Sequence, residues 1–144
     1  MRLWRISEYA DLSGRGGLEY AARWNNQGRP IVYTAESSSG ALNELLAHTD
    51  SEFIPPDYQL LTIHAADDVS LLEVSELPST WQYNIAHTQA LGDKWLESNN
   101  AALLRVPSAL ITHAFNILIN PLHPDAARIK IVTKERVPFD ARLK

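Results

Sequence analysis

Three short apolar runs bordered by proline constrain this chain more than anything else in it. Ile31-Val32-Tyr33-Thr34-Ala35 follows Pro30, residues 101–106 stop at Pro107, and residues 114–120 stop at Pro121. Proline has no backbone N–H to give a ladder, so each run reads as a short strand that cannot extend past its border. Four more stretches are strand-like: Leu3-Trp4-Arg5-Ile6, residues 58–65, residues 70–74 and residues 129–134. Asp67-Asp68 lies between the middle two and predicts a tight turn joining them as neighbours, a meander.

Helical patterns are fewer. Ser37, Ser38 and Ser39 offer caps for a helix whose apolar side is Ala41, Leu42, Leu45 and Leu46, with Glu44 on its border beside Ala41. Residues 85–97 form the longest helical pattern, although Gly92 sits inside it, and glycine costs about 1 kcal/mol against alanine there. Residues 18–24 read as a brief helical turn and residues 123–127 as a short turn or helix. The connections between several strand pairs are too brief for parallel crossovers, so the fold class is α+β, with mixed or antiparallel sheets and short helices. With no linker or repeat in 144 residues, a single domain over 1–144 is expected.

Charge narrows the partners. Residues 30–93 carry ten Asp and Glu and no Lys or Arg, whereas residues 128–144 carry six basic residues against two acidic ones. An acidic middle repels phosphate, which argues against a broad nucleic-acid surface. The basic end reads as an edge strand that uses lysine against mispairing. There is no cysteine, no apolar run of membrane-spanning length, and no signal-peptide core after Met1-Arg2-Leu3-Trp4-Arg5. A cytoplasmic protein without membrane attachment is expected.

The candidate chemistry is concentrated between residues 14 and 46. Gly14, Gly16 and Gly17 let the backbone bend sharply or approach a ligand, and Arg23, Tyr33 and Glu44 then follow in order. Ser108, just past a strand and a proline, occupies a strand end of the kind that lines crevices. The five histidines show no metal-ligand spacing, so no metal is expected. Neither a phosphate loop nor a nucleophile elbow is present, and Gly14-Arg15-Gly16-Gly17 fails the dinucleotide fingerprint. Glu36 and Glu44 could supply a carboxylate pair for ordinary glycoside hydrolysis, at a separation the sequence does not fix.

The set Arg23, Tyr33, Glu44 and Ser108, together with Ala22-Arg23-Trp24-Asn25, Val32-Tyr33-Thr34-Ala35, Ala41-Leu42-Asn43-Glu44, Val106-Pro107-Ser108-Ala109 and Asn116-Ile117-Leu118-Ile119-Asn120-Pro121, resembles the RES domain family. These are toxins of RES/Xre-type bacterial toxin–antitoxin pairs. The resemblance implies an ADP-ribosyltransferase-like fold and breakdown of NAD+ at the nicotinamide–ribose bond, with phosphate or water as acceptor, or transfer of ADP-ribose to a protein. It also implies an Xre-type helix-turn-helix antitoxin partner in an oligomeric complex, with DNA reached only through the antitoxin. Arg23, Tyr33, Glu44 and Ser108 would be the site residues.

Chemistry asks for the same residue types. Glycosidic cleavage builds positive charge on the ribose, which a carboxylate such as Glu44 stabilises. A flat nicotinamide gains from an aromatic neighbour, Tyr33. A diphosphate calls for a forked cation, Arg23 first and Arg5 second. Ser108 would hold the ribose or amide, and Asn120 and His123, in the turn after their strand, are secondary candidates for closing the pocket. A reading from another class is a non-catalytic interaction module that binds a basic partner through the acidic middle.

Overall fold

A computed structural model describes residues 1–143. Seven strands are present: β1 (Arg2–Ile6), β2 (Val32–Ala35), β3 (Asp57–Ala65), β4 (Leu71–Glu73), β5 (Leu103–Pro107), β6 (Phe115–Ile119) and β7 (Ile129–Pro138). They form one sheet in the order β4-β5-β6-β2-β1-β3-β7. Only β4 and β5 run parallel; every other pair is antiparallel. Three α-helices accompany them among the described residues: α1 (Arg15–Glu19), α2 (Ser38–Ala47) and α3 (Ile85–Ser98). The fold is therefore α+β with a mixed sheet and few helices.

Side-chain alternation explains how the central strands are buried on both faces. On β2, β5 and β6, Val32, Leu103, Ile117 and Ile119 enter one core cluster with Leu3 and Ile63. Their alternates Leu104, Val106 and Leu118 enter a second cluster with Trp24, Trp81 and Trp95, against which Tyr33 packs. A strand buried on both sides has no polar face, as the apolar runs foreshadow.

The meander expected of β3 and β4 does not form. They lie five strand positions apart, about 24 Å across a flat sheet. Residues 66–70 reach at most about 20 Å, and a turn in which the Val69 N–H donates to the Ala66 carbonyl shortens them further. The sheet must curl until its ends approach, and Ala65 of β3 accordingly shares a core with Leu103 of β5. A short link fixes proximity; it does not fix pairing.

Two helices follow their patterns and one does not. Ser37 caps α2 by accepting from the Gly40 N–H at 2.9 Å, and Ala41 is its buried residue. The α3 pattern ends at Asn99, whose φ of 54° suits asparagine. The turn expected over residues 18–24 is instead α1, ending at Glu19, after which Tyr20 is extended. Asn25, fully buried, donates its amide to the carbonyls of Tyr20 and Asn26 at 3.1 Å each, which ties residues 20–26 into a compact loop rather than a helix. The glycine-rich stretch belongs to this scaffold: Gly14, with φ of 72°, accepts from the Ile31 N–H at 3.2 Å and lies against the lead-in to β2 instead of a ligand cleft.

The strand at the end of the sheet is β7, paired on one side only with β3, and it carries Lys130 and Lys134. That matches the edge expected of the basic segment. No helix among the described residues is long and apolar enough to cross a membrane.

Candidate active site

A cleft of about 620 Å³ opens between α2, the ends of β1, β2, β5 and β6, and the loop around Trp24. Its volume falls within the ~300–1,000 Å³ usual for small-molecule sites. Arg5, Arg23, Tyr33, Glu44, His48 and Asn116 supply its polar lining, with Trp4, Trp24 and Leu110 among the apolar walls.

Glu44 reaches the cleft because α2 packs on β1 and β2 through Ala41, which places position 44 at the border of the buried side. Its side chain is 34% exposed. The Asn116 side-chain amide donates to Glu44 Oε1 at 3.1 Å. His48 Nδ1 bonds the Glu44 backbone carbonyl at 2.8 Å and stands 4.0 Å from Oε2.

Tyr33 presents its ring to the cleft while its hydroxyl is already committed. That hydroxyl donates to Asn25 Oδ1 at 2.5 Å and accepts from the Trp24 N–H at 3.1 Å. Burial holds its pKa well above the ordinary phenol value; the Trp24 N–H opposes this and nearby Asp93 adds to it. Tyr33 therefore has no part as a proton donor or base near neutral pH, and what it offers a ligand is a ring face. Tyr33→Phe should cost about 1–3 kcal/mol of stability, because it strands a buried amide oxygen and a backbone N–H. Chemical denaturation would show this as a lower midpoint at unchanged slope.

Arg23 donates through Nη1 to the Gln82 carbonyl at 3.0 Å, and its guanidinium lies over Trp81, 5.9 Å from the ring centre. Its own carbonyl accepts from Thr88 Oγ1 on α3 at 2.5 Å, so the loop that carries it is pinned to that helix. Arg5 projects from β1 and donates through Nη1 to the Tyr33 carbonyl at 3.4 Å. Its Nε is buried without a hydrogen-bond partner among the described residues. Burial lowers the Arg5 pKa from its ordinary value, partly offset by Asp11. The guanidinium lines the cleft, where its forked N–H groups suit an anion.

Ser108 is not brought into this cleft. Its neighbours Pro107 and Ala109 line the cleft, but Ser108 itself does not. Ser108 instead faces an adjoining cavity of about 390 Å³ with Arg105, Ile111 and His113. Its hydroxyl accepts from the Leu110 and Ile111 N–H groups at 3.1 and 3.2 Å, shaping the turn before β6. Asn120 and His123 are likewise elsewhere, beyond the far end of β6 from Asn116. Asn120 is buried, donating to Asn99 Oδ1 at 2.9 Å and accepting from the Leu122 N–H at 3.1 Å. His123 Nδ1 accepts from the Asp125 N–H at 2.9 Å, capping the 3₁₀ turn that follows. Each holds a turn together. Glu36 pairs with Arg105, which is stacked over Phe115 at 3.6 Å, so Glu36 and Glu44 do not form a carboxylate pair across one site. Among the described residues no three His, Asp or Glu side chains gather to hold a metal ion.

The residue that sequence reasoning passed over is Asn116. Its signal was a single amide inside the otherwise apolar run Phe115-Asn116-Ile117-Leu118-Ile119.

Comparison with known proteins places this geometry. The chain is 44% identical over 145 residues to a protein named Toxin Res from Pseudomonas putida, with 99% of each chain covered. It is 36% identical over 152 residues to the Prs ADP-ribosylating toxin of a Sphingobium species, covering 97% of this chain and 94% of that one. The crystal structure of the Mycobacterium tuberculosis MbcT–MbcA toxin–antitoxin complex contains a chain of the same fold, with a TM-score of 0.77 at 17% identity, covering 95% of this chain and 84% of that one. The RES domain matches residues 2–140, all seven strands and all three helices included. With that match and a relative at 44% identity over its whole length, this chain belongs to the RES domain family.

Proposed function

We propose that this chain is the toxin of a toxin–antitoxin pair and acts inside the cell by breaking NAD+ at the bond between nicotinamide and ribose, with phosphate or water as acceptor. The observation that carries the proposal is the convergence of Glu44, Tyr33, Arg23 and Arg5 on one cleft. The names of the Pseudomonas and Sphingobium relatives support it, since an ADP-ribosylating toxin consumes NAD+ as donor.

Each group meets a different demand of the reaction. The C1′–N bond breaks with its electron pair passing to the nicotinamide ring nitrogen, which becomes neutral as positive charge builds on the ribose. The Glu44 carboxylate faces that charge in a partly desolvated cleft, where it lowers the barrier more than it could in water. The Tyr33 ring gives the nicotinamide a flat wall. Arg5 and Arg23, which both line the cleft, receive the diphosphate through their forked guanidinium groups. An acceptor oxygen then bonds to C1′ and gives up its proton to solvent. The proposed partner is an Xre-type antitoxin that closes the cleft and brings the complex to DNA.

Incubating the full chain with NAD+, with and without inorganic phosphate, and following nicotinamide release tests the reading. Release is expected, and its absence overturns the proposal. A second reading, transfer of ADP-ribose to a protein, is favoured by the name of the Sphingobium relative; covalent attachment of label from the adenylate part of NAD+ to protein would select it.

Arg5→Met separates binding from folding. Losing charge-assisted hydrogen bonds to the diphosphate should raise KM for NAD+ about 10- to 100-fold, since such bonds are worth about 1.5–3 kcal/mol. The melting temperature should hold or rise, because the substitution removes a buried N–H that lacks a partner.

A further inference from the structure

We infer that Asn116 is a positioning residue for the reaction: its side-chain amide fixes the Glu44 carboxylate so that Oε2 stays free for the ribose. The inference rests on the NAD+-cleaving reading above and names how its central group is held.

Asn116 is set in the middle of the sheet, opposite Ala35 on β2 and Val106 on β5, and in phase with Leu118 on the face that carries Tyr33. Small Ala35 leaves room for the amide to rise toward α2, where it meets Glu44 Oε1 at 3.1 Å. An ionised carboxylate only accepts, so the nitrogen of the amide is the atom that must face it. Among the described residues no other side chain supplies this bond. His48 Nδ1 is engaged with the Glu44 backbone carbonyl, and among the described residues neither Arg5 nor Arg23 forms an ion pair with Glu44.

The chemical need is plain. Glu44 projects from a surface helix on three rotatable bonds, and ordering such a side chain costs about 1–2 kcal/mol. An anchor in the rigid sheet prepays that cost before substrate arrives and leaves one oxygen without a protein hydrogen bond. Asn116 also lines both the cleft and the adjoining cavity, so it stands as the wall behind the carboxylate.

The test uses the full chain, nicotinamide release as the readout and thermal melting as the control for folding. Asn116→Ala should lower kcat about 10- to 100-fold with KM for NAD+ within about twofold, the pattern of a misplaced catalytic group. Asn116→Asp is the decisive variant because it keeps the shape. Two carboxyl groups about 3 Å apart share one proton, so the introduced group donates to Glu44 only while protonated. Its kcat relative to wild type should therefore rise at least about fivefold between pH 8 and pH 5.5. The other titratable groups that line the cleft, Arg5, Arg23, Tyr33 and His48, are present in both proteins, so the ratio reads the effect of the added carboxyl group.

A folded Asn116→Asp variant whose activity ratio does not change with pH would overturn the inference, as would Asn116→Ala with wild-type kcat. Should Asn116→Ala fail to fold, the Asp variant alone decides. Inactive wild type, by contrast, would sink the NAD+ reading itself, so the two failures are distinguishable.

Discussion

Glu44→Gln should reduce nicotinamide release at saturating NAD+ by about a thousandfold or more while leaving the melting temperature within a few degrees of wild type. The expected loss is about 4 kcal/mol of transition-state stabilisation, in the range found when a single group facing developing charge is neutralised. Glutamine keeps the length and shape of glutamate and still offers an oxygen to the Asn116 amide. What disappears is the negative charge opposite the ribose. Stability should barely change, because the side chain is 34% exposed and its neighbours bury no charge that depends on it. The ground state carries less positive charge on the ribose than the transition state does, so KM should move little. A folded Glu44→Gln variant within tenfold of wild type would remove the carboxylate from the mechanism, whatever the other groups in the cleft do.

Gly92→Ala should be the most damaging single methyl addition in the chain, destabilising it by about 3 kcal/mol or more and lowering the melting temperature by about 10 °C. In an exposed helix the same change would be favourable by about 1 kcal/mol. Here the added Cβ would fall 1.6 Å from the Trp24 carbonyl oxygen and 2.7 Å from its carbon. That backbone has little freedom to retreat. The Trp24 N–H is held by the Tyr33 hydroxyl, the preceding carbonyl by Thr88, and the Asn26 N–H two residues on by Asp93 Oδ1 at 3.0 Å. The Trp24 ring is buried against Trp81 with centroids 6.0 Å apart. Relief therefore requires α3 to withdraw from the loop, which opens the tryptophan cluster and drags Arg23 away from the cleft. Activity should fall with stability. A variant that melts within two or three degrees of wild type would show that α3 has slack the structure does not reveal.

The loop from Arg23 to Asn26 is thus a joint between packing and chemistry. One end carries a cleft arginine, its middle is a buried tryptophan, and its last residue is locked to α3 by two hydrogen bonds to Asp93. Substitutions there will not separate cleanly into those that affect folding and those that affect the reaction.

Much of this was legible in the residues themselves. Three apolar runs bordered by proline and four other strand-like stretches pointed to the seven short strands, the serine cluster specified the start of α2, and the brevity of the links specified a sheet that is mixed rather than doubly wound. Residue chemistry singled out Arg23, Tyr33 and Glu44, which the fold brings to one cleft. Local sequence carries these features because backbone preference, capping and side-chain alternation act over a few residues.

The tertiary structure alone decided the rest. Whether β4 pairs with β3 or with β5 depends on how far the sheet curls, and that is set by the joint packing of strands distant in the chain. Whether Ser108 lines the cleft or the adjoining cavity is decided by the turn after β5, in which its hydroxyl is held by the Leu110 and Ile111 N–H groups. Asn120 and His123 carry the right functional groups, yet their hydrogen bonds are spent on turns, and Asn116 became visible only where β6 passes beneath α2. Glycine at position 92 looked like a weakness in a helix and is the place where two backbones meet, because sequence records which residue is present and only the folded chain records what lies 2 Å away.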